Sequence, residues 1–465
     1  MVFCSLVWVL GWGTEFDAEF TGKTLRWDFF HSGNSAQEHL SLDQVRLEGG
    51  WPGSRTQLLD ETNLGLYLFE VIDRATNRVL YSRGFCSIFG EWQTTGEAKK
   101  TWRTFHESLR FPEPRFEVQL VLKKRAPDGA FREIHCELVD PASRFIQRAA
   151  LSGPGEVISV EHHGPAETKV DLLFLGDGYT EEEKDKLVRD VQRLSGELFE
   201  VEPYHSRRDE FNVWVVFVPA AESGVTDPRG GVFRSSPFGL SYNAFDTDRY
   251  MLTFENKQLR EAAAKAPYDA MILLANTSKY GGGGIFNLWS TAAADSSQAP
   301  YLIVHEFGHA LAGLADEYYT SQVAYEELTP PGCEPWEPNV TALLEPADLK
   351  WREFVDVSTP LPTPWEQQPF DQKQIAHQNK RQAAREAGAK EEQLAILFAE
   401  EKTATLELLE AEPHRGRVGA FEGAGYQAKG LYRPELDCIM FTRNPTSYCR
   451  VCARAVSRVI DLHSR

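Results

Sequence analysis

Residues 300–313 read PYLIVHEFGHALAG and contain the pattern HExxH. On a helix this pattern places His305 and His309 one turn apart on the same face, where two imidazoles can hold a zinc ion. Glu306 lies between them, close enough to act as a general base toward a zinc-bound water. The apolar flanks indicate a core helix, and buried imidazoles need partners such as a metal. The stretch therefore predicts a catalytic zinc site on a buried helix.

Both ends of this helix carry local signals. Pro300 suits the first turn, with Ser296 or Ser297 before it as the N-cap. Gly313 can adopt the left-handed conformation that ends a helix. We therefore expect the helix to begin near Pro300 and to end at Gly313.

A catalytic zinc needs a third protein ligand and one open position. Asp316 lies three residues after Gly313, and a chain that turns at this glycine can bring Asp316 back to the metal. Glu317 is the alternative ligand; it can equally be a solvated acid or a partner of a ligand ring. The predicted metal ligands are therefore His305, His309 and Asp316, with Glu306 as the catalytic residue.

Further along the chain, Met440 and three tyrosines are candidates for the same site. Met440 lies in LDCIMF (436–441), which resembles the Met-turn beneath the zinc of metzincin peptidases, although an ordinary core methionine is the alternative. Tyr426, Tyr432 or Tyr448 could donate a hydrogen bond to a developing oxyanion. The sequence does not choose among them, and a packed tyrosine is the commoner role for each.

Several segments together resemble the IgA-peptidase family of bacterial zinc metallopeptidases. The segments of the second half are HEFGHALAGLADEY (305–318), LLFLGDGYTEEE (172–183), YGGGGIFN (280–287), FEGAGY (421–426), LYRPELDCIM (431–440) and YCRVC (448–452). SLDQVRLEGGWPGSRT (41–56) and YSRGFCSIFGEW (81–92) resemble the N-terminal domain of that family. The resemblance implies a secreted or surface endopeptidase with one catalytic zinc on His305 and His309, and with Glu306 as base. Cleavage of immunoglobulin A does not follow, because a fold and its site survive changes of substrate.

The glycine-rich segment 280–287 precedes the zinc helix. A phosphate-binding loop would be followed by Lys and Ser or Thr, which are missing here, so the segment argues against nucleotide binding. We predict an edge strand above the cleft, where backbone without side chains can pair with an extended peptide. A flexible loop without such contacts is the alternative.

The length of 465 residues predicts a multidomain chain. Alternating apolar runs such as 66–72 and 116–122 predict an N-terminal β-sandwich over residues 16–150. Residues 151–168 are expected to be a linker, and residues 169–465 a catalytic domain.

The catalytic domain is predicted to be an α/β, metzincin-like zinc metallopeptidase domain. Buried strands are expected at 170–175, 212–219 and 270–275, and Thr180 with Glu183 forms a capping box for a helix. Residues 371–411 are rich in Gln, Ala, Glu and Lys, and predict a helical hairpin insertion that turns near Gly388.

Residues 1–15 are predicted to be a signal remnant, because the apolar run 2–10 has the length of a signal core although no basic residue precedes it. A first strand is the alternative. Without Cys4, six cysteines remain, and an even number is typical of exported proteins. We expect a disulfide from Cys438 to Cys449 or Cys452, since a second metal site would need another CxxC pair. These features predict a secreted, periplasmic or cell-surface protein.

Charge and hydropathy limit the partners. The net charge of −19 argues against nucleic acid, and no run of 18 apolar residues predicts a membrane span. The predicted function is a zinc endopeptidase acting on protein substrates, including host or glycosylated proteins. The alternatives are a binding protein or adhesin with a vestigial zinc site, which the intact Glu306 disfavours, and a zinc amidase acting on cell-wall peptides.

Overall fold

The computed structural model describes residues 15–151, 153–320, 329–330, 332–444 and 447–465. The predicted signal remnant, including Cys4, falls almost entirely outside these ranges and stays a prediction. The described residues form four β-sheets and eight α-helices, divided between an N-terminal domain and an α/β domain. Among the described helices, none combines the length and the apolar composition needed to cross a membrane.

The N-terminal domain consists of two antiparallel sheets around one core. Its elements are α1 (Glu15–Glu19), β1 (Phe20–Gly33), β2 (Glu38–Gly50), β3 (Tyr67–Asp73), β4 (Val79–Phe85), α2 (Ile88–Trp92), β5 (Arg103–Pro114), β6 (Val118–Arg125) and β7 (Phe131–Val139). The strand orders are β2-β1-β5 and β4-β3-β6-β7. Trp27 and Phe29 of the first sheet pack in the same core as Phe69 and Leu120 of the second. The domain is therefore a β-sandwich, as the alternating runs predict.

The second domain is built on a six-stranded sheet of order β12-β13-β11-β9-β10-β8. Its elements are β8 (Glu156–Glu161), β9 (Val170–Asp177), α3 (Lys184–Leu198), β10 (Phe211–Phe217), α4 (Asn256–Ala263), β11 (Ala270–Ala275), β12 (Gly282–Ile285), β13 (Trp289–Ala293), α5 (Ala299–Ala312), α6 (Gln367–Glu386), α7 (Glu391–Glu410), β14 (Phe421–Ala424), β15 (Gln427–Arg433) and α8 (Arg450–Ser464). The four inner strands run parallel, whereas β8 and β12 run antiparallel to their neighbours. Every residue of β9 is buried, which explains the apolar run of residues 172–175 at its centre.

The three predicted inner strands are found at β9, β10 and β11, and the capping box of Thr180 and Glu183 is present. The predicted linker is wrong at residues 156–161. These residues form β8, which pairs antiparallel with β10 at the edge of the sheet. Ile158 and Val160 lie on its inner side and pack against the core of the domain, so hydrophobic burial keeps this segment on the sheet.

Two helices, α6 and α7, lie where the hairpin was predicted, and Gly388 between them has a left-handed φ of 75°. An ion pair between Arg381 and Glu401 joins the two helices. At the base of the hairpin, Phe370 stacks on Phe441 with ring centroids 5.0 Å apart. That the hairpin is an insertion stays a prediction.

A buried ionic network joins the two domains. Arg26 of β1 is fully buried, and its guanidinium donates to Asp28 at 2.8 Å, Glu48 at 2.7 Å and Glu261 of α4 at 2.7 Å. A buried cation is tolerated only when such partners satisfy it. The outer face of β1 is therefore an interface with the second domain.

A second buried network in the sandwich centres on His31. Its ring stacks on Phe89 of α2 at 3.9 Å and lies between Glu107 at 3.0 Å and Glu38 at 3.1 Å. Burial alone would lower the pKa of His31, but the two carboxylates outweigh it and raise the pKa. The network holds α2 against the sandwich, and α2 faces the cavity described below.

Candidate metal centre

The helix α5 carries the HExxH motif and follows β13 directly. Pro300 lies in its first turn, as predicted. Gly313 closes the helix in the left-handed conformation, with φ of 60°, and its N–H donates to the carbonyl of His309 at 3.0 Å. The helix therefore ends where the sequence predicts, and the chain turns back toward its own last two turns.

The predicted N-cap is wrong. Gln298 precedes the first helical residue, and its side chain makes no capping bond. Ser296 contributes through its backbone, because its carbonyl accepts from the N–H of Ala299 at 2.9 Å. The serines belong to the turn before the helix and do not cap it.

Three donor atoms converge beside this helix. The Nε2 atoms of His305 and His309 are 3.2 Å apart, and Asp316 Oδ1 lies 3.0 Å from the first and 3.3 Å from the second. Tetrahedral zinc with bonds of about 2.0–2.1 Å separates its ligand atoms by about 3.3 Å. Asp316 Oδ1 is also buried without a hydrogen-bond partner among the described residues. The three side chains therefore fit a zinc ion.

The outer nitrogen of each imidazole is fixed by a backbone carbonyl. The Nδ1 of His305 lies 3.0 Å from the carbonyl of Ile439, and the Nδ1 of His309 lies 2.5 Å from that of Leu314. A carbonyl can only accept, so both Nδ1 atoms carry the proton. The Nε2 atoms then face each other and Asp316, and they are the atoms left to bind a metal, which needs the neutral ring.

Electrostatics at this centre follow from burial and close charges. Burial would raise the pKa of Asp316, but the two imidazoles hold it well below its usual range. Burial opposes protonation of His309, yet the Asp316 carboxylate raises the pKa of His309 to about 9. Burial raises the pKa of Glu306, and the neighbouring imidazoles only partly offset this. Glu306 thus holds a proton more readily than an exposed glutamate.

The structure brings Asp316, and not Glu317, to the two histidines. Glu317 is fully buried on the other side of the chain, where its Oε1 accepts from Asn339 Nδ2 at 3.0 Å and lies 3.3 Å from Cys452 Sγ. Asn339 is itself fully buried, so its Asn-Val-Thr sequence, which matches the acceptor pattern for N-glycosylation, does not present the amide at the surface.

Of the three candidate tyrosines, only Tyr426 reaches the centre. Its hydroxyl donates to Asp316 Oδ2, and its backbone has a left-handed φ of 64° after Gly425. The N–H of Gly425 donates to the carbonyl of Asp316 at 2.9 Å, and that of Tyr426 to Tyr318 at 3.1 Å. The turn between β14 and β15 is therefore fastened to the segment that carries Asp316.

The other two tyrosines lie elsewhere. The Tyr448 hydroxyl donates to the carbonyl of Val304 at 2.5 Å inside the core. Tyr432 pairs with Thr341 through backbone hydrogen bonds of 3.1 and 2.9 Å. Neither lines the cavity.

Met440 is fully buried, in a tight turn closed by the N–H of Phe441 and the carbonyl of Cys438 at 2.8 Å. Its own carbonyl accepts from the N–H of Glu317 at 2.9 Å. The turn thus lies against the ligand segment and supplies the Ile439 carbonyl to His305. The predicted disulfide at this turn is wrong, because the six described cysteines are free and the Sγ atoms of Cys438 and Cys452 are 3.8 Å apart.

The centre opens into a cavity of about 290 Å³ between the two domains. Arg249 and Tyr318 line it on the catalytic side, with Arg249 Nη2 donating to the Tyr318 hydroxyl at 3.3 Å. Ser87 and Glu91 line it from the N-terminal domain, and Tyr250 donates to Glu91 across the interface. Sequence reasoning gave none of these residues a role. Ser87, Glu91 and Tyr318 lie within segments that carry the family resemblance, but no spacing marks them, and they meet Arg249 and Tyr250 only in the folded chain.

The glycine-rich segment forms the edge strand β12 and lines the same cavity, as predicted. Close packing against α5 also requires glycine in this strand, which was not predicted. A Cβ at Gly284 would lie 2.3 Å from the carbonyl oxygen of Glu306, and one at Gly282 would lie 3.0 Å from Glu306 Cγ. The outer edge is also partly paired, because Met251 N–H approaches the Gly282 carbonyl at 3.3 Å.

Comparison with known protein families gives two matches. The profile described as IgA Peptidase M64 matches residues 158–460, more than half of the chain. The profile described as Peptidase M64 N-terminus matches residues 15–136. No curated protein matches the chain. The first match contains the whole HExxH helix together with Asp316 and Tyr426.

Proposed function

Because the chain belongs to the IgA peptidase M64 family, in its N-terminal domain as well as its peptidase domain, we propose that it is a zinc-dependent endopeptidase. Family membership makes it a peptidase, a hydrolase whose substrates are proteins. The identity of the metal, the role of Glu306 and cleavage within chains are our proposal. The observation that carries it is the triangle of His305 Nε2, His309 Nε2 and Asp316 Oδ1, with Glu306 on the same helix.

His305, His309 and Asp316 would hold the zinc. A zinc ion there supplies a Lewis acid that polarises the scissile carbonyl and makes water more acidic. Glu306 takes the proton from the attacking water and passes it to the nitrogen of the leaving amine. Glu306 lines the cavity beside the two imidazoles, so its carboxylate can reach a water held there.

Tyr318 is the candidate donor to the developing oxyanion. Its hydroxyl lines the cavity and accepts from Arg249, so its own hydrogen can point toward substrate. Arg249 adds a positive charge on the same side, and burial strengthens its effect. Tyr426 has a different role, since its hydroxyl orients the Asp316 carboxylate.

The path of the substrate is proposed to follow β12. An extended peptide lying along this edge strand would have α2 of the sandwich on its other side. A metzincin-like catalytic domain is part of the proposal and is supported by the buried Met440 turn and the glycine turn at Gly313. Location outside the cytoplasm is proposed from the family resemblance alone.

The test compares Glu306→Gln with wild type and with the surface variant Glu400→Gln. Purified proteins are assayed for zinc and for cleavage of unfolded protein substrates, with mapping of internal cleavage sites by mass spectrometry. We expect Glu306→Gln to keep its zinc and to lose at least about 10²–10⁴-fold in rate. Glu400 is exposed on α7, so the control should match wild type.

Full activity in Glu306→Gln would contradict the mechanism. Zinc-loaded wild type that cleaves no protein would favour the binding-protein alternative. Digestion of peptidoglycan with no cleavage of proteins would instead support a cell-wall amidase.

A further inference from the structure

A second group of metal-ligand side chains lies behind the catalytic centre. Glu317, Cys438, Cys449 and Cys452 are all buried, and one ligand atom from each lies within 4.8 Å of the others. They come from three separate segments: the chain after α5, the turn that contains Met440, and the start of α8. None of the four is a residue that the proposed peptidase reaction uses.

Two distances within this group match those between the ligands of one ion. Cys438 Sγ and Cys452 Sγ are 3.8 Å apart, and Cys452 Sγ is 3.3 Å from Glu317 Oε1. Tetrahedral zinc with bonds of about 2.3 Å to sulfur and 2.0 Å to oxygen gives separations of about 3.8 Å and 3.5 Å. A disulfide would need about 2.05 Å between sulfurs. The side chains are therefore too far apart for a disulfide and at the right distance for a shared ion.

Two further contacts point to charged ligands. Glu317 Oε2 is buried without a hydrogen-bond partner among the described residues, and a buried carboxylate needs a cation or a donor. Backbone N–H groups aim at the sulfurs: that of Cys449 at Cys438 Sγ, 3.2 Å away, and that of Cys452 at Cys449 Sγ, 3.5 Å away. Such donors stabilise thiolates, and Cys449 is also the N-cap of α8, where the helix dipole favours negative charge.

We propose that Glu317, Cys438, Cys449 and Cys452 bind a structural zinc ion. Three thiolates select zinc over calcium or magnesium, which prefer oxygen ligands. Four protein ligands leave no open position, so the ion would be structural and not catalytic. The site was not predicted from the sequence, because only Cys449 and Cys452 form a close pair and the other ligands come from distant parts of the chain.

The ion would hold two parts of the catalytic centre in place. Glu317 directly follows Asp316, and Cys438 directly precedes Ile439, whose carbonyl orients the His305 ring. The N–H of Glu317 also bonds the carbonyl of Met440. One ion at the cluster would therefore fix both the segment that carries Asp316 and the Ile439 carbonyl that orients His305.

The first experiment uses the wild-type full chain and needs no substitution. Its zinc content is measured after dialysis against metal-free buffer, and its zinc X-ray absorption spectrum is recorded. We expect two zinc ions per chain and a sulfur shell at about 2.3 Å. The centre on α5 offers only nitrogen and oxygen donors, so any sulfur shell reports the cysteine cluster. A spectrum without a sulfur shell overturns the proposal. So does a disulfide mapped among these cysteines, which would make the unreduced protein lighter than the reduced protein by two hydrogens.

The second experiment compares Cys452→Ser with Cys136→Ser, in which the cysteine is exposed on the sandwich. We expect Cys452→Ser to lose one zinc and the sulfur shell, and Cys136→Ser to keep both ions. Retention of both ions and of the full sulfur shell in Cys452→Ser overturns the proposal.

A third variant separates this inference from the proposed function. His309→Ala should lose the other zinc and keep the sulfur shell. If the catalytic metal is absent altogether, wild type would contain one zinc in a sulfur-rich site, and this inference would stand by itself. One zinc with nitrogen and oxygen ligands only would overturn it and leave the proposed peptidase site unaffected.

Discussion

The substitution Gly284→Ala tests how closely β12 must approach the catalytic helix. The added Cβ would lie 2.3 Å from the carbonyl oxygen of Glu306 and 2.8 Å from His309 Cβ. Neither contact can be relieved by rotating a side chain, because the first is to a backbone oxygen and the second is to a Cβ, which does not move when the side chain rotates. The strand or the helix must therefore move by about 1 Å to restore van der Waals distance.

Two magnitudes follow from this movement. Overpacking of a tight core costs about 1–3 kcal/mol in the free energy of unfolding. Misplacing a reacting group by about 1 Å costs about 10²-fold in rate. We expect Gly284→Ala to lower the melting temperature by several degrees and kcat/KM by about 10²-fold. Thermal unfolding and hydrolysis of a mapped peptide measure the two effects.

The matched control is Gly196→Ala in α3, where an added Cβ meets no atom within 4 Å. Alanine in a helix is favoured over glycine by about 0.5–1 kcal/mol, so this variant should be at least as stable as wild type and fully active. Wild-type stability and activity in Gly284→Ala would refute the reasoning, because β12 would then accommodate a Cβ without moving away from the helix.

Two further substitutions each remove one hydrogen bond, and a third tests the titration of one histidine. Tyr426→Phe removes the donor to Asp316 and should weaken zinc affinity by about 10–100-fold in competition with a chelator. Tyr448→Phe removes one buried hydrogen bond to the carbonyl of Val304 and should cost about 0.5–1.5 kcal/mol on chemical unfolding, with the activity of the folded enzyme kept. For His31 the raised pKa means that its stabilisation is complete below the usual pKa of 6.5 and is lost as pH rises through the folded pKa. The melting-temperature difference between wild type and His31→Gln should therefore be largest at or just below pH 6.5 and should shrink at higher pH.

Each of these expectations has a contrary result. Unchanged zinc affinity in Tyr426→Phe would mean that the hydroxyl does not hold the Asp316 carboxylate. Loss of activity in Tyr448→Phe without loss of stability would place that hydroxyl at the reaction after all. A melting-temperature difference for His31→Gln that does not change between pH 6 and pH 9 would show that its charge contributes nothing.

Local signals predicted which residues on α5 and just after it the structure brings together. The HExxH spacing, the glycine turn at Gly313 and Asp316 three residues later all lie within one short segment, so residues that are close in space there are also close in sequence. The strands β9, β10 and β11 were also predicted, because a fully buried parallel strand is a continuous apolar run. The helix cap and the linker were wrong, since a backbone turn and an edge strand carry weaker sequence signals.

The remaining parts of the site depend on contacts between distant segments. Arg249 and Glu91 reach the cavity from a loop and from another domain, and no local spacing marks either residue. The partners of Cys438 could not be chosen from spacing alone, because a disulfide and a metal site require the same residue types. Only the distances between their side chains separate the two, and these exist once the chain has folded.

Residues of α2 and of β12 line one cavity, and this has a consequence for how the protein can be altered. Ser87, Gly90, Glu91 and Thr94 line the same cavity as Glu306 but belong to the sandwich, which a buried ionic network joins to the second domain. The shape of the groove and the chemistry within it are therefore encoded in different domains. Grafting the short segment 87–94 from another family member offers a route to new cleavage preferences while every group that handles protons stays untouched.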